Sequence, residues 1–437
     1  MTTSLRGPIY FAIMASLLII VGLLQSWSVS LAILNLCLIS AIMALGVNMQ
    51  WGYAGLFNVG IMGFAALGGV ACVLVSKAPV GEAWSAGAAG LGIAAVVFVL
   101  TIALMVFSAN RIRNTLLRRL ICLVVLVAGL FICRRFFDPA VSAIEAVNAA
   151  KYGYLGGLGL PIIFSWAVGG LFAAGAAWLV GKIALGLRSD YLAIATLGIS
   201  EIIIAILKNE DWLTRGVKNV TGLGRPVPYE LKLQQSEWFL SLCERWAFNP
   251  VEASSIFVKL CYALLFASVL IVILFLSQRA LKSPWGRMMR AIRDNEHAAE
   301  AMGKDVTRQH LHIFILGSAV VGIAGAMLTT LDGQFTPTAY NPLRFTFLIW
   351  VMVIVGGSGN NWGSVLGGFL IWFIWIEAEP VGLWLMNLMT QSMSEDSALR
   401  IHLIESAPHM RVLFMGAILL LVLRFSPRGL IPEATRR

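Results

Sequence analysis

Long apolar runs separated by short polar segments dominate this 437-residue chain. The runs at 9–24, 91–107, 162–180, 257–276 and 345–355 carry few or no charges. A bilayer-crossing helix needs about 20 consecutive apolar residues, with roughly 17–25 usual. The pattern predicts helices near 9–24, 29–50, 58–76, 88–108, 117–137, 161–181, 190–208, 257–278, 309–331, 344–358, 363–378 and 411–425. The runs are continuously apolar instead of alternating, which excludes a membrane β-barrel. The expected fold is all-α: one polytopic transmembrane bundle over 1–437, with about 10–12 spans, some of them interrupted.

The polar segments between the runs differ in character. Residues 279–308 are dense in Arg, Glu and Asp, although only 12% of the chain is charged. Ser283 can cap a helix that starts at Pro284, and Gly303 can end it in the left-handed conformation. Along 284–303, Met288, Ile292, Ala299 and Met302 fall on one stripe, with Arg290, Arg293, Asp294 and Glu296 on other faces. Such a helix either hands its stripe to another protein or lies on the membrane surface or on its own bundle. The 209–256 segment, with Pro226, Pro228 and Pro250, is predicted to form a small cap on the opposite side.

Charge then fixes an orientation. The net charge is +10, but the Lys and Arg residues cluster in short segments between spans, as the positive-inside bias produces, so nucleic acid is not implied as a partner. With the N-terminus cytoplasmic, the inner loops are 109–116, 182–189, 279–308 and 426–437. They hold Arg111, Arg113, Lys182, Arg188, the long basic segment, Arg428, Arg436 and Arg437. Both termini are expected in the cytoplasm. Arg134 and Arg135 are expected to shorten the fifth span at its outer end. The run after Arg6 is long enough to remain as a first helix. Six cysteines show no paired or metal-ligand spacing and read as small core residues.

Two glycine-rich segments look like helix interruptions: one with Gly52, Gly55, Asn58 and Gly60, the other with Gly356, Gly357 and Gly359. Glycine permits conformations that a helix forbids, and Asn can bond the freed backbone. They are either corresponding breaks around a translocation path or ordinary turns before tightly packed helices. Glu201 sits about 10 residues into a predicted span, where a carboxylate costs roughly 2.5–3.5 kcal/mol on insertion scales. It is expected to face the bundle interior and find a partner, either lining a path or making an interhelical hydrogen bond. No catalytic cluster is visible. Residues 175–182 resemble a phosphate loop, but five residues separate the glycines and Ile183 stands where Ser or Thr would hold Mg²⁺.

Several motifs together resemble the LivM-type membrane subunits of branched-chain amino acid ABC importers. They are Ser283-Pro284, Gly286-Arg287, Ala291-Ile292-Arg293, Glu296, Ala298-Ala299 and Gly303; Leu187-Arg188-Ser189-Asp190-Tyr191-Leu192-Ala193-Ile194 with Thr196-Leu197-Gly198 and Glu201-Ile202; Gly356-Gly357 and Gly359 with Trp362-Gly363; and Pro427-Arg428-Gly429-Leu430. The first glycine segment departs from the family, with Leu56 to Ile61 where many relatives carry Gln, Ser and His. The resemblance implies a permease that is not itself an enzyme and needs no cofactor of its own, since two cytoplasmic ATPase subunits bind ATP and Mg. It also implies a second homologous permease, an extracytoplasmic solute-binding protein and a bacterial inner-membrane location. In this reading Pro284, Gly286, Arg287, Met288, Ile292, Arg293, Glu296, Ala299, Met302 and Gly303 couple to an ATPase. Gly52, Gly55, Asn58, Gly60, Glu201, Gly356, Gly357 and Gly359 line the path or break its helices. The cargo would be a branched-chain or similar small neutral amino acid, with urea or amides as the family's variant. A secondary transporter or channel for small polar solutes is the alternative from another class.

Overall fold

The computed structural model describes residues 3–112, 114–148, 153–391, 393–394 and 397–433. Arg113, Arg436 and Arg437, counted above among the inner basic residues, lie outside them. All twelve predicted apolar segments are helical. In chain order the helices are α1 (Thr3–Leu24), α2 (Trp27–Val47), α3 (Ile61–Ser76), α4 (Gly81–Arg111), α5 (Thr115–Ala146), α6 (Phe164–Ala184) and α7 (Ser189–Asn209). Three short helices follow, α8 (Asp211–Thr214), α9 (Glu230–Gln234) and α10 (Glu237–Arg245), before the long α11 (Pro250–Lys282). The polar α12 (Pro284–Asp294) and α13 (Glu296–Ala301) precede α14 (Val306–Asp332), α15 (Pro342–Gly356), α16 (Asn361–Met389), α17 (Ala398–Glu405) and α18 (Met410–Phe425).

Among the described residues ten helical stretches are long and apolar enough to span a membrane. The exceptions are α3, with 16 residues, and α15, with 15. At about 1.5 Å per residue they reach only ~22–24 Å, short of a hydrocarbon core of about 30 Å. The segments completing those passes are the two glycine-rich ones. Asn residues mark several helix starts: the side chains of Asn114, Asn249, Asn341 and Asn360 accept from first-turn N–H groups of α5, α11, α15 and α16. Asn249 and Asn341 are each followed by Pro at the first helical position, which needs no N–H partner there.

The fifth apolar helix extends beyond its apolar run. Arg134 and Arg135 do not end the helix, because α5 runs through them to Ala146. Arg134 pairs at 2.7 Å with Asp138 one turn later, so the charge is met on the helix surface without ending the helix.

The centre of the bundle is built on small residues. Every position from 37 to 50 on and after α2 is buried. Where α3, α6 and α14 cross, a Cβ on Gly68 would meet the Gly322 carbonyl, and one on Gly322 would sit 2.6 Å from the Gly169 oxygen. In lipid there is little hydrophobic gain from pairing helices, so close backbone approach has to supply the attraction. By contrast α4 and α5 form a peripheral hairpin, knitted by Gly87 against Ile144 and Gly129 against Thr101, with most of its apolar surface exposed.

The two ends of the bundle differ. At one end lie α12, α13, both glycine segments and residues 430–433. At the other, α8 to α10 gather over the helix ends, where β1 (Val220–Thr221) pairs antiparallel with β2 (Gln334–Phe335).

Candidate functional site

The polar segment is two helices, not the single helix expected over 284–303. Asn295 has φ −158° and ψ 100°, and its side chain accepts from the Ala298 N–H, so it ends α12 and caps α13 in one step. Pro284 opens α12, and Gly303 takes φ 77°, both as predicted. Ser283 precedes the helix, but its hydroxyl bonds back to the Ala280 carbonyl and not to the first turn. Gly286 lies so close to the backbone of Leu281 that a side chain there would collide with it, which fixes the sharp corner out of α11.

The apolar stripe does not face outward as a unit. Ile292 is 1% exposed and Ala299 8%, both against this chain's own bundle, and Met288 is half-buried. Only Met302, 80% exposed, is offered to the outside. The stripe satisfies the bundle end first, so Ile292 and Ala299 are not free to contact a partner. The outward face consists of Pro284, Arg287, Ala291, Asp294, Glu296 and the α13 residues around Met302.

Arg293 ties this segment to the rest of the molecule. Its Nη1 donates to the carbonyl of Gly52 at 2.5 Å and to Glu433 Oε2 at 3.0 Å, and its Nε donates to Asp294 at 3.1 Å. Arg290 approaches the same Glu433 at 4.0 Å. Burial disfavours the charge, yet Glu433 and Asp294 hold the Arg293 guanidinium above its ordinary value. Gly55, at φ 71°, leaves room for the Arg293 stem beside it.

Gly52 ends a π-helical turn, Asn48–Gly52, that interrupts the passage out of α2. Such turns insert one residue and free backbone groups for other partners. Here the two glycine segments, more than 300 residues apart, meet. Asn48 donates to Asn361 Oδ1 at 3.0 Å and accepts from the Gly359 N–H at 2.8 Å. A side chain on Gly52 would strike both the Asn48 amide and the Gly359 nitrogen. Gln50 donates to the Phe314 carbonyl and to Ser318, and Asn58 donates back to Gln50 at 2.8 Å. Asn58 also accepts from the Gly60 N–H, while Thr196 of α7 accepts from the Val59 N–H.

The chain's last described residues close the arrangement. The N–H groups of Leu430 and Ile431 donate to Val355 and Gly356, each at 2.9 Å, and Asn360 donates to the Pro432 carbonyl. Gly357, at φ 119°, sits directly against this tail. Beside the break Trp350 packs at 4.7 Å from Trp51 and 4.6 Å from Phe57, and its indole N–H donates to the Asn58 carbonyl. The sequence singled out the glycines and Asn58 as either helix breaks or ordinary turns, and it did not single out Asn48, Gln50, Thr196, Trp350 or Glu433. Asn48 and Gln50 had a signal, being polar at the end of an apolar run.

Glu201 reverses its expectation. It is exposed on the outer surface of α7, and among the described residues it has no hydrogen-bond or ion-pair partner. It shares that outward stripe with Ile194, Gly198 and Ala205, and nothing lies within 4 Å of a Cβ placed on Gly198. A carboxylate in the middle of an apolar helix still needs cover from protein or water. This chain does not supply the cover.

A family model described as the permease component of branched-chain amino acid transport systems matches residues 112–423, well over half of the chain. The chain belongs to this permease family. The permease is 30% identical over 235 residues to the high-affinity branched-chain amino acid transport system permease protein LivM of Salmonella typhimurium, covering 52% of this chain and 53% of that one. To the Escherichia coli protein of the same name it is 30% identical over 243 residues, with the same coverage. A probable LivM from Methanocaldococcus jannaschii is 25% identical over 398 residues, 90% of each chain. The permease thus spans about half the length of the two bacterial relatives in its match. No solved structure matches it. Its hub uses residues on both sides of the matched region: Asn48 and Gly52 precede it, Arg293 and Gly359 lie within it, and Glu433 follows it.

Proposed function

We propose that this chain is the membrane-spanning subunit of an ATP-driven importer for branched-chain or similar small neutral amino acids. The observation that carries the reading is the Arg293 link from a polar surface helix to a helix break inside the bundle. A partner that grips the outward face of α12 and α13 moves Arg293, and Arg293 moves the Gly52 carbonyl. The π turn, the Asn48–Gly359 contact and the aromatic group around Trp350 then shift together. Coupling of this kind needs an element with two arrangements that the partner biases, and a glycine-jointed break is such an element.

The partner at that face is an ATPase, one of two, which bind ATP and Mg. The outward α7 stripe pairs with a second, homologous permease. Gly198 and Ala205 allow a close helix, and Glu201 then lies in the seam between subunits, facing the cargo route instead of lipid. A solute-binding protein docks on the opposite end, over α8 to α10. In this arrangement α12, α13 and both termini are cytoplasmic and the membrane is the bacterial inner membrane.

Reconstitution of the assembled complex in proteoliposomes tests the whole reading: uptake of labelled leucine, isoleucine or valine should require ATP on the α12 side. Solute movement by this chain alone would sink it. Two variants refine it. Glu201→Gln should lower the maximal uptake rate several-fold with normal membrane yield, and unchanged kinetics would remove Glu201 from the route. Met302→Asp should reduce ATPase co-purification, because it places a charge on the most exposed apolar residue of the docking face; undiminished recovery would move the dock elsewhere.

A further inference from the structure

The short helix α10 carries more apolar surface than its own bundle covers. Glu237, Ser241, Glu244 and Arg245 share one face, and Trp238, Phe239, Leu242, Cys243 and the capping Trp246 fall on the opposite side. Phe239 and Cys243 are buried, with the Phe239 ring 5.9 Å from Phe257 of α11. Trp238, Leu242 and Trp246 are exposed, as is Phe248 just beyond the helix end. A helix with Trp and Leu on one face and charges on the other lies in the plane of a membrane interface. Trp also gathers at that level on membrane proteins generally.

Between α10, α11 and the first residue of α2 lies a groove of about 580 Å³, within the roughly 300–1,000 Å³ of small-molecule sites. Trp27, Leu242, Trp246, Phe257 and Leu260 are among its walls, and all of these but Phe257 are exposed, so the groove opens to the outside. Its amide and carboxylate, Asn249 and Glu252, stand at the start of α11. Leu260 lies about three turns further on, so one end is polar and the other oily.

The level of the groove follows from α11. That helix has 33 residues and reaches about 50 Å, against a hydrocarbon core of about 30 Å. Its charge-free stretch begins at Leu260. Lys259, one residue earlier, donates to the carbonyl and hydroxyl of Ser28 at 3.0 and 2.6 Å, which holds the start of α2 at the same height. Below this point Leu264, Ile271 and Phe275 continue one exposed face of α11 from Leu260. Ala253 and Ile256 extend that face up into the groove.

We propose that the groove holds one acyl chain of a phospholipid from the leaflet at this end of the bundle, a resident lipid that seats α10 in the membrane interface. The continuous apolar path from the groove to the exposed face of α11 selects this occupant. A chain whose headgroup lies near Asn249 and Glu252 runs past Leu260 without leaving apolar surroundings. A free fatty acid would set its carboxylate beside Glu252, where like charges repel. The polar face of α10 stays in water, available to the solute-binding protein proposed for this end.

Photocrosslinking of the full-length permease in proteoliposomes tests this. The probe is phosphatidylethanolamine with a diazirine on one acyl chain, loaded first and then chased with excess unlabelled vesicles before irradiation. Peptides from 239–260 should retain several-fold more label than peptides from 91–107 of α4, whose exposed apolar side chains meet exchanging lipid. Ala253→Trp, which fills the groove, should lower the label on 239–260 to the level of α4. Leu242→Glu, on the exposed part of α10, should speed the loss of groove label during the chase. An unchanged α4 signal shows that either variant still inserts. Equal retention at the two sites in the wild type, or undiminished retention in Ala253→Trp, overturns the assignment. So does loss of the groove label on co-expression with the second permease and the ATPases, which would make the occupant a protein.

Discussion

Arg293→Ala is expected to reduce ATP-driven uptake at least about tenfold while the permease still reaches the membrane and binds its ATPase. The side chain makes the direct tie between α12 and the π turn, donating to the Gly52 carbonyl and to Glu433 at once. Hydrogen bonds to charged groups contribute roughly 1.5–3 kcal/mol each, which is a large share of the few kcal/mol that separate two working states. Removal leaves Glu433 partly buried without its main counter-charge and leaves the break free of α12. Nucleotide hydrolysis should therefore continue without transport. Arg293→Lys should recover only part, since an ammonium cannot reproduce the planar fork that meets a carbonyl and a carboxylate together. Glu433→Gln should be milder, because the bond to Gly52 survives. Parallel assays of hydrolysis and uptake in proteoliposomes check the set. Normal uptake by Arg293→Ala would show that the movement travels by another route.

Gly325→Val should have the largest effect on stability. A Cβ at Gly325 would lie 2.7 Å from the Ala65 Cα and nearer still to its carbonyl, all backbone atoms that cannot rotate aside. The α3–α14 crossing would have to open, and overpacking of this kind costs about 1–3 kcal/mol or more. The neighbouring Gly68–Gly322 contact belongs to the same crossing and would open with it. The expected result is a clear fall in the melting temperature of the detergent-solubilised protein and in membrane yield. Gly175→Ala is the matched control: it lies inside α6 with nothing within 4 Å, and a helical Gly→Ala change there should be neutral or stabilising by up to about 1 kcal/mol. Equal yields and melting temperatures for the two variants would refute the close-packed crossing.

The apolar runs and the two glycine segments between them could be read directly from the residues, because each follows from local composition and spacing. What could not be read was which surface covers which. The stripe containing Ile292 announced an apolar face on α12, but periodicity does not say whether the covering body is the same chain or another. The answer is the same chain for Ile292 and Ala299, with only Met302 left outside. Glu201 is the converse case. The cost of a charge in lipid says that protein must cover it, and the inference of an interior position assumed a single chain. The Arg293–Glu433 pair is separated by 140 positions, and no local pattern links them. Asn295 was overlooked because helix propensity is high on both sides, so its capping role depends on a conformation that the surrounding residues do not advertise.

The tail at residues 430–433 has a consequence for biosynthesis. Every described apolar helix leaves the ribosome before this tail does, so those helices can insert while the contacts to Val355, Gly356, Asn360 and Arg293 are still missing. On the proposed coupling, a nascent permease is threaded through these helices before its drive linkage exists, and synthesis of residues 430–433 then latches one to the other. Premature termination just after α18 would yield a product that inserts normally yet idles when its ATPase fires.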